Sequence, residues 1–138
     1  MMRVILAALL FCTPVLARDY GQWEHEDPAI VLWFQKLLQP DTKVSCCGSS
    51  DAYWADEAHI TSDGRIVATI TDDREDAPLM RSHVPIGTRY IVPPNKITHV
   101  DGNPTGHVII FLGGVIWANG NIHPEARSVL CYVQNGGV

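Results

Sequence analysis

The chain has 138 residues, of which 46% are hydrophobic and 18% are charged, and its formal net charge is −5 at pH 7. This length suits one domain, and the composition is too apolar for a disordered chain. Because the lysines and arginines form no basic cluster, nucleic acids and anionic membranes are poor candidates for partners.

The first 17 residues have the pattern of a secretory signal peptide. Arg3 supplies a positive charge, residues 4–11 form an apolar run too short to span a bilayer, and Ala17 completes a small-residue cleavage site. We therefore expect a periplasmic or secreted protein that is cleaved near Ala17. The mature chain, residues 18–138, is predicted to form a single β-rich domain with no membrane span.

One helix is predicted near the start of the mature chain, over residues 28–38. Asp27 can cap it, and Pro28 suits its first turn. Apolar side chains then recur at helical spacing until Pro40 stops the pattern. This spacing predicts a helix that packs one face on the body of the protein.

The rest of the chain has the pattern of short strands separated by turns. Ser62-Asp63-Gly64 predicts a hairpin turn, Asn119-Gly120 suggests a second one, and residues 72–78 are predicted to form a solvated acidic loop. The predicted strands cover residues 58–61, 65–71, 89–92, 96–100, 107–112, 115–118 and 128–133. Six to eight short strands and one N-terminal helix predict a mainly β (α+β) fold, either a small open β-barrel or a sandwich.

The cysteines constrain the fold further. Cys46, Cys47 and Cys131 remain after the predicted cleavage, an odd number for an oxidising compartment. A disulfide from Cys131 to Cys46 or Cys47 would close a loop of about 85 residues and contribute about 4–5 kcal/mol through chain entropy. The adjacent pair could instead form a vicinal disulfide, a redox pair or a soft-metal site, although it lacks the two-residue spacer of zinc and redox motifs.

Five short motifs occur in order along the mature chain. They are Ser45-Cys46-Cys47-Gly48, the DAYWAD run at 51–56, Ile70-Thr71-Asp72-Asp73, the GNPTGH run at 102–107 and Cys131-Tyr132-Val133. Together they resemble an uncharacterised family of small exported proteins from Gram-negative bacteria. The resemblance covers nearly all of the mature chain, although residues 114–127 are longer than the hairpin of that family. It implies an exported location and no particular activity.

The DAYWAD run supplies the predicted binding residues, Asp51, Tyr53, Trp54 and Asp56. Successive residues of a strand face opposite sides, so one of Tyr53 and Trp54 is expected in the core and the other at the surface. An exposed aromatic side chain beside two carboxylates could contact a protein or a small ligand of the cell envelope. The lead hypothesis is therefore a disulfide-stabilised periplasmic binding or structural module, with no catalytic residues and no cofactor predicted.

The alternative is a metal- or thiol-handling protein that uses Cys46, Cys47 and a histidine. His107 is the candidate histidine, and thiolate with imidazole would select zinc or copper. Cys47 with His107 and Asp51 could also be drawn as a catalytic triad, but the spacing does not support it because triad members meet only in the fold. An enzyme is therefore the less favoured interpretation.

Overall fold

The first regular element among the described residues is α1, Pro28–Gln35, at the position predicted for the helix. In this computed structural model, which describes residues 26–47, 50–114 and 117–135, Asp27 caps α1 by accepting a 2.7 Å hydrogen bond from the backbone N–H of Ala29. The helix ends at Gln35 rather than at residue 38, because Leu38 forms an antiparallel bridge with Ser45 and is extended. The predicted signal peptide and its cleavage site lie outside the described residues.

The described residues contain short strands at nine places. In chain order these are β1 (Asp51–Trp54), β2 (Glu57–Ile60), β3 (Ile66–Thr69), β4 (Arg89–Val92), β5 (Ile97–Thr98), β6 (Ile109–Leu112), β7 (Trp117–Ala118), β8 (Asn121–Ile122) and β9 (Val129–Val133). Strands β1, β6, β9 and β5 form one sheet in that order, and β2, β3 and β4 form a second. Seven strands in two open sheets and one helix confirm the mainly β prediction, and no closed barrel forms within the described ranges.

The turns predicted from local chemistry are present. The β2–β3 hairpin turns at Ser62-Asp63-Gly64, where Gly64 has a φ of 82°. Strands β7 and β8 pair around Asn119 and Gly120, whose φ values are 51° and 77°. Positive φ at both central residues is the geometry that favours Asn-Gly in tight hairpins.

The four-stranded sheet is buried on both faces. One face packs against the three-stranded sheet through Tyr53, Ile110 and Tyr132, and the other packs against α1 through Phe111 and its neighbours. All four residues of β6 are buried, which explains why this strand is a continuous apolar run. The molecule therefore has three layers, with α1 and the three-stranded sheet on opposite sides of the four-stranded sheet.

A disulfide between Cys46 and Cys131 crosses the core on the α1 side, with an S–S distance of 1.99 Å and a Cα–Cα distance of 5.8 Å. The predicted disulfide is confirmed, with Cys46 as the partner of Cys131, and a vicinal disulfide is ruled out. Among the described cysteines, Cys47 keeps a free thiol. Its Sγ donates a 3.4 Å hydrogen bond to the carbonyl oxygen of Phe34, and burial raises its pKa to about 12.

No helix in the described parts of the chain is long and apolar enough to span a membrane.

Candidate binding surface

Strand β1 separates the predicted binding residues into two environments. Tyr53 is 1% exposed and lies in the core between the two sheets, whereas the next residue, Trp54, is only partly buried. This alternation confirms that one of the two aromatic residues belongs to the core. Asp51 lies on the side of Tyr53, and Asp56 lies on the side of Trp54, as their contacts show.

Asp51 and Tyr53 are held by Arg127 and by the backbone of Ser82. Arg127 donates from Nη2 to Asp51 at 2.9 Å and from Nη1 to the Tyr53 hydroxyl at 2.8 Å. The Tyr53 hydroxyl donates to the carbonyl oxygen of Ser82, whose N–H donates to Asp51 at 3.3 Å. Burial raises the pKa of Tyr53, which stays a neutral phenol. The polar atoms of these two predicted residues are therefore occupied within the protein.

Arg127, which no sequence pattern predicted as a site residue, makes further bonds. Its guanidinium also donates from Nε to the carbonyl oxygen of Gly113 at 2.6 Å and from Nη2 to that of Leu112 at 2.9 Å. The Arg127 side chain is 2% exposed, so these bonds form away from water. Arg127 and Asp51 are 76 residues apart in the chain, and no local pattern predicts such a pair.

Trp54 lies against two cationic or ionisable side chains. Its ring stacks on that of His107, with centroids 3.8 Å apart and an interplanar angle of 11°. The guanidinium carbon of Arg74 lies 3.9 Å from the centroid of the Trp54 ring, a cation–π contact. The backbone N–H of Trp54 donates to Asp72 at 3.0 Å. The indole is thus fixed in position although part of it remains exposed.

Asp56 fixes the orientation of His107. One carboxylate oxygen, Oδ1, accepts a 2.8 Å hydrogen bond from the backbone N–H of Val108, and Oδ2 lies 2.8 Å from Nδ1 of His107. Because Nδ1 faces the carboxylate, Nε2 is the ring nitrogen that points away from it. The side chains of His107 and Asp56 are 35% and 40% exposed, so both can reach a molecule at the surface.

Asp72 holds Arg74 in position through two hydrogen bonds. It accepts hydrogen bonds of 2.9 Å and 2.6 Å from Nε and Nη2 of Arg74 and one of 2.5 Å from Nη1 of Arg81. Burial of Asp72 opposes its ionisation, but the bonds from Arg74 and Arg81 prevail and hold its pKa well below the usual range. The prediction that residues 72–78 form a solvated acidic loop is therefore wrong at Asp72, which is a buried ion-pair partner.

Arg81 joins the same loop to strand β1. Its guanidinium donates to Asp76 at 2.7 Å, to the carbonyl oxygen of Ala52 at 3.0 Å and to that of Arg74 at 3.0 Å. Its guanidinium carbon also lies 4.6 Å from the Tyr53 ring centroid. The Arg81 side chain is only 4% exposed, so the loop is attached firmly to the sheet.

Each of the residues predicted for metal or thiol chemistry contacts a different part of the protein. Cys46 is bonded to Cys131, Cys47 contacts Phe34 of α1, and His107 contacts Trp54 and Asp56. Within the described ranges, no three His, Cys, Asp or Glu side chains are grouped so that they could hold a metal ion. The drawn triad is not assembled either, since Asp51 pairs with Arg127 and His107 pairs with Asp56.

Comparisons of the chain with protein-family models, with curated proteins and with solved structures find no match. The site is therefore defined by its own geometry. Trp54, Asp56, Arg74 and His107 form a partly exposed aromatic and charged cluster, called the Trp54 surface below.

Proposed function

We propose that this protein is an exported, disulfide-stabilised binding module of the bacterial cell envelope, and that it contacts its partner through the Trp54 surface. The observation that supports this most directly is the partly exposed indole of Trp54, stacked on His107 and in contact with Arg74. Tryptophan and arginine are enriched among the residues that contribute most to binding energy at protein interfaces.

The ion pairs around Trp54 prepare this surface for binding. Ordering a flexible side chain on association costs about 0.5–1.5 kcal/mol. Here Asp56 already orients His107, and Asp72 already holds Arg74 through two hydrogen bonds. A partner that contacts these side chains would therefore lose little free energy in ordering them.

The location is supported by three independent features. The first 17 residues have the pattern of a signal peptide, the motifs resemble those of small exported Gram-negative proteins, and the disulfide suits an oxidising compartment. A periplasmic protein or a small envelope ligand is the class of partner that this location offers. Nothing in the described residues favours the alternative of a metal- or thiol-handling protein, because Cys46 is already bonded and the raised pKa of Cys47 keeps its thiol protonated.

Site-specific photo-crosslinking in the periplasm of the native host tests the proposal. A photoreactive amino acid replaces Asp73, which is exposed and adjoins both Asp72 and Arg74. The matched control carries the same group at Gln35, an exposed residue of α1. We expect an adduct of defined mass from position 73 and none of that mass from position 35.

The second arm adds Trp54→Ala to the position-73 variant. This substitution removes the ring on which His107 and Arg74 pack but leaves Asp72 and the disulfide in place. The adduct yield is therefore expected to fall at least about tenfold. Circular dichroism and intact mass confirm that each variant is folded and oxidised. The proposal fails if position 73 gives no discrete adduct, or if Trp54→Ala leaves the yield unchanged.

A further inference from the structure

Strand β2 forms an uncovered edge of the three-stranded sheet. Within the described residues it pairs only with β3, and all four of its residues are exposed. Ile60, at its end, is 74% exposed. An edge strand offers unpaired N–H and C=O groups to another strand, so this edge can accept a partner through its backbone.

The hairpin register determines which backbone groups are unpaired. The N–H of Thr61 donates to the carbonyl oxygen of Arg65 at 2.9 Å, next to the hairpin turn. Because hydrogen-bonded and non-hydrogen-bonded pairs alternate in an antiparallel ladder, Glu57 and His59 direct their backbone groups toward β3. Ala58 and Ile60 therefore direct theirs toward the free edge.

The side chains of Glu57 and His59 share the outer face of this sheet. His59 lies opposite Val67, and Glu57 lies opposite Thr69. The charged groups nearest in this face are Arg89, beyond Thr69 on β4, and Arg65, whose guanidinium is already paired with Asp63 at 2.7 Å. Neither Glu57 nor His59 has an ion-pair partner within the described chain.

We propose that two copies of this protein pair through their β2 strands, antiparallel, about a two-fold axis at Ala58. In this register Ala58 lies opposite Ala58 of the second copy, and the two residues exchange both backbone hydrogen bonds. Glu57 then lies opposite His59 of the second copy, once on each side of the axis. These are non-hydrogen-bonded pairs, in which facing side chains approach most closely.

Charge complementarity favours a second copy over an unrelated strand. Each copy carries one unpaired carboxylate, Glu57, and one unpaired imidazole, His59. The two-fold axis places each of them opposite the other kind in the second copy, which gives two cross-strand pairs. Moving the two-fold axis from Ala58 to His59 shifts the register by two residues and would instead place His59 opposite His59, which loses both pairs. The contact is isologous, so it uses both free β2 edges and closes at a dimer.

Sedimentation velocity over a concentration series tests the pairing with the complete, disulfide-bonded protein. We expect a reversible monomer–dimer equilibrium. The substitution His59→Glu places a carboxylate opposite Glu57 of the second copy on each side of the axis. This repulsion should weaken the dimer about tenfold. Adding Glu57→Lys to that variant should restore the dimer dissociation constant of the parent protein. Gln35→Glu, which adds a carboxylate at an exposed position of α1, is the matched control and should leave the dimer unchanged.

Disulfide formation under mild oxidation tests the register. Ala58→Cys places two thiols across the axis, where facing Cα atoms are about 5.5 Å apart, and should give a cross-linked dimer. His59→Cys should do so only if the axis lies at His59, because in the proposed register its two Cα atoms are diagonal neighbours about 7–8 Å apart, too far for a disulfide. The parent chain controls for Cys47. The proposal is overturned by a monomer at every concentration, by a dimer that the double charge exchange does not restore, or by cross-linking at position 59 instead of 58.

Discussion

A single buried guanidinium, that of Arg127, joins strand β1 to the chain on either side of the β7–β8 hairpin. It bonds Asp51, the Tyr53 hydroxyl and the carbonyl oxygens of Leu112 and Gly113. Removing one partner of a buried ion pair is costly because the other charge is left without compensation. The stability of this part of the fold therefore depends on Arg127, a residue that no local pattern predicts.

We expect Arg127→Gln to lower the free energy of unfolding by about 3 kcal/mol, since the Asp51 carboxylate and the Tyr53 hydroxyl lose their shared donor. Urea denaturation measures the change. Arg65→Gln is the matched control, because Arg65 and Asp63 form a pair that is about half exposed, and its unfolding midpoint should hardly move. Equal effects of the two substitutions would contradict the role given to Arg127.

Met80 has a left-handed backbone conformation, with a φ of 50°, although it is not glycine. It ends a tight turn in which its own N–H donates to the carbonyl oxygen of Ala77 and the N–H of Arg81 donates to that of Asp76. This is the hydrogen-bond pattern of a Schellman cap, where glycine is the usual residue. The Met80 side chain is largely exposed, so packing does not explain its presence.

We expect Met80→Gly to be more stable than Met80→Ala by about 1 kcal/mol, because only glycine removes the clash of Cβ with the left-handed backbone. Both variants lack the methionine side chain, so their difference isolates the backbone conformation. Thermal and urea unfolding of the pair provide the measurement. No difference between them would show that this turn is not strained at Met80.

At the residue scale, local alternation predicted one core and one surface aromatic residue; Tyr53 confirms the core position, and Trp54 is partly buried. The alternation of residues along a strand could not predict which charged side chains would pack around these two rings. Arg74, Arg81 and Arg127 each act on residues supplied by other parts of the chain, so their roles depend on tertiary contacts. The position of Asp72 next to Asp73 in a charged run even suggested the wrong environment.

The loop that leads from β3 to β4 is fixed to β1 by charge as well as by the burial of Ile70 and Val84 in the core. Asp72, Arg74, Asp76 and Arg81 form a continuous set of ion pairs beneath Trp54. Because Asp72 is buried and its pKa is lowered, its negative charge contributes to folding. Protonation of this carboxylate should therefore weaken the attachment of the loop to β1.

The sign of the pH dependence follows from this pKa. A carboxyl group whose pKa is lower in the folded than in the unfolded state stabilises the fold above its unfolded pKa, and that contribution is lost as pH falls through the folded pKa. We expect stability to fall below about pH 4. Asp72→Asn should be less stable at neutral pH, and its stability should decline less between pH 4 and pH 2.

Urea unfolding at several pH values measures this difference. Asp63→Asn is the control, since the pKa of Asp63 is also lowered, by hydrogen bonds from Thr61 and Arg65, but its side chain is about half exposed. Salt and water weaken such exposed pairs, so the acid slope should stay close to that of the parent. A parent-like slope in Asp72→Asn would contradict the account of the loop.

Element positions were predicted best where the chain carries its own turn chemistry. Strand β4 occupies the predicted residues 89–92, and both predicted hairpin turns are present. Ends were predicted less well where another backbone contact decides them, as at α1, which ends before the bridge between Leu38 and Ser45. The same holds at β5, where a 3-10 turn, Pro94–Lys96, takes part of the predicted strand.

At the scale of the whole molecule, the disulfide joins the segment after α1 to the strand β9. Its cysteines are 85 residues apart. Chain entropy alone gives such a bridge about 4–5 kcal/mol. The sequence predicted a bridge to Cys131 but could not choose between Cys46 and Cys47, because the choice depends on which side chain faces the core.

We expect the double variant Cys46→Ala with Cys131→Ala to lose about 4–5 kcal/mol of unfolding free energy. Cys47→Ser is the matched control, because it keeps the disulfide and a hydroxyl that can still donate to the carbonyl oxygen of Phe34. Chemical denaturation and disulfide mapping by mass provide the data. A larger loss in Cys47→Ser than in the double variant would contradict this assignment.

The arrangement of strands within the four-stranded sheet could not be predicted from local pattern. The order β1, β6, β9, β5 combines antiparallel neighbours with one parallel pair, β5 and β9. Such pairings join distant parts of the chain, whereas periodicity reports only on neighbouring residues. The sequence therefore predicted the class of fold and left barrel and sandwich as alternatives.

The place of β9 in that order has a consequence for the timing of folding. β9 is last in chain order among the described strands, yet it lies between β6 and β5 and carries Cys131. The chain is synthesised from its N-terminus, so it cannot complete the sheet or close the disulfide until residues 129–133 have left the ribosome. The apolar edge of β6 stays unpaired until then. The four-stranded sheet should therefore form only after all the other described strands have been synthesised.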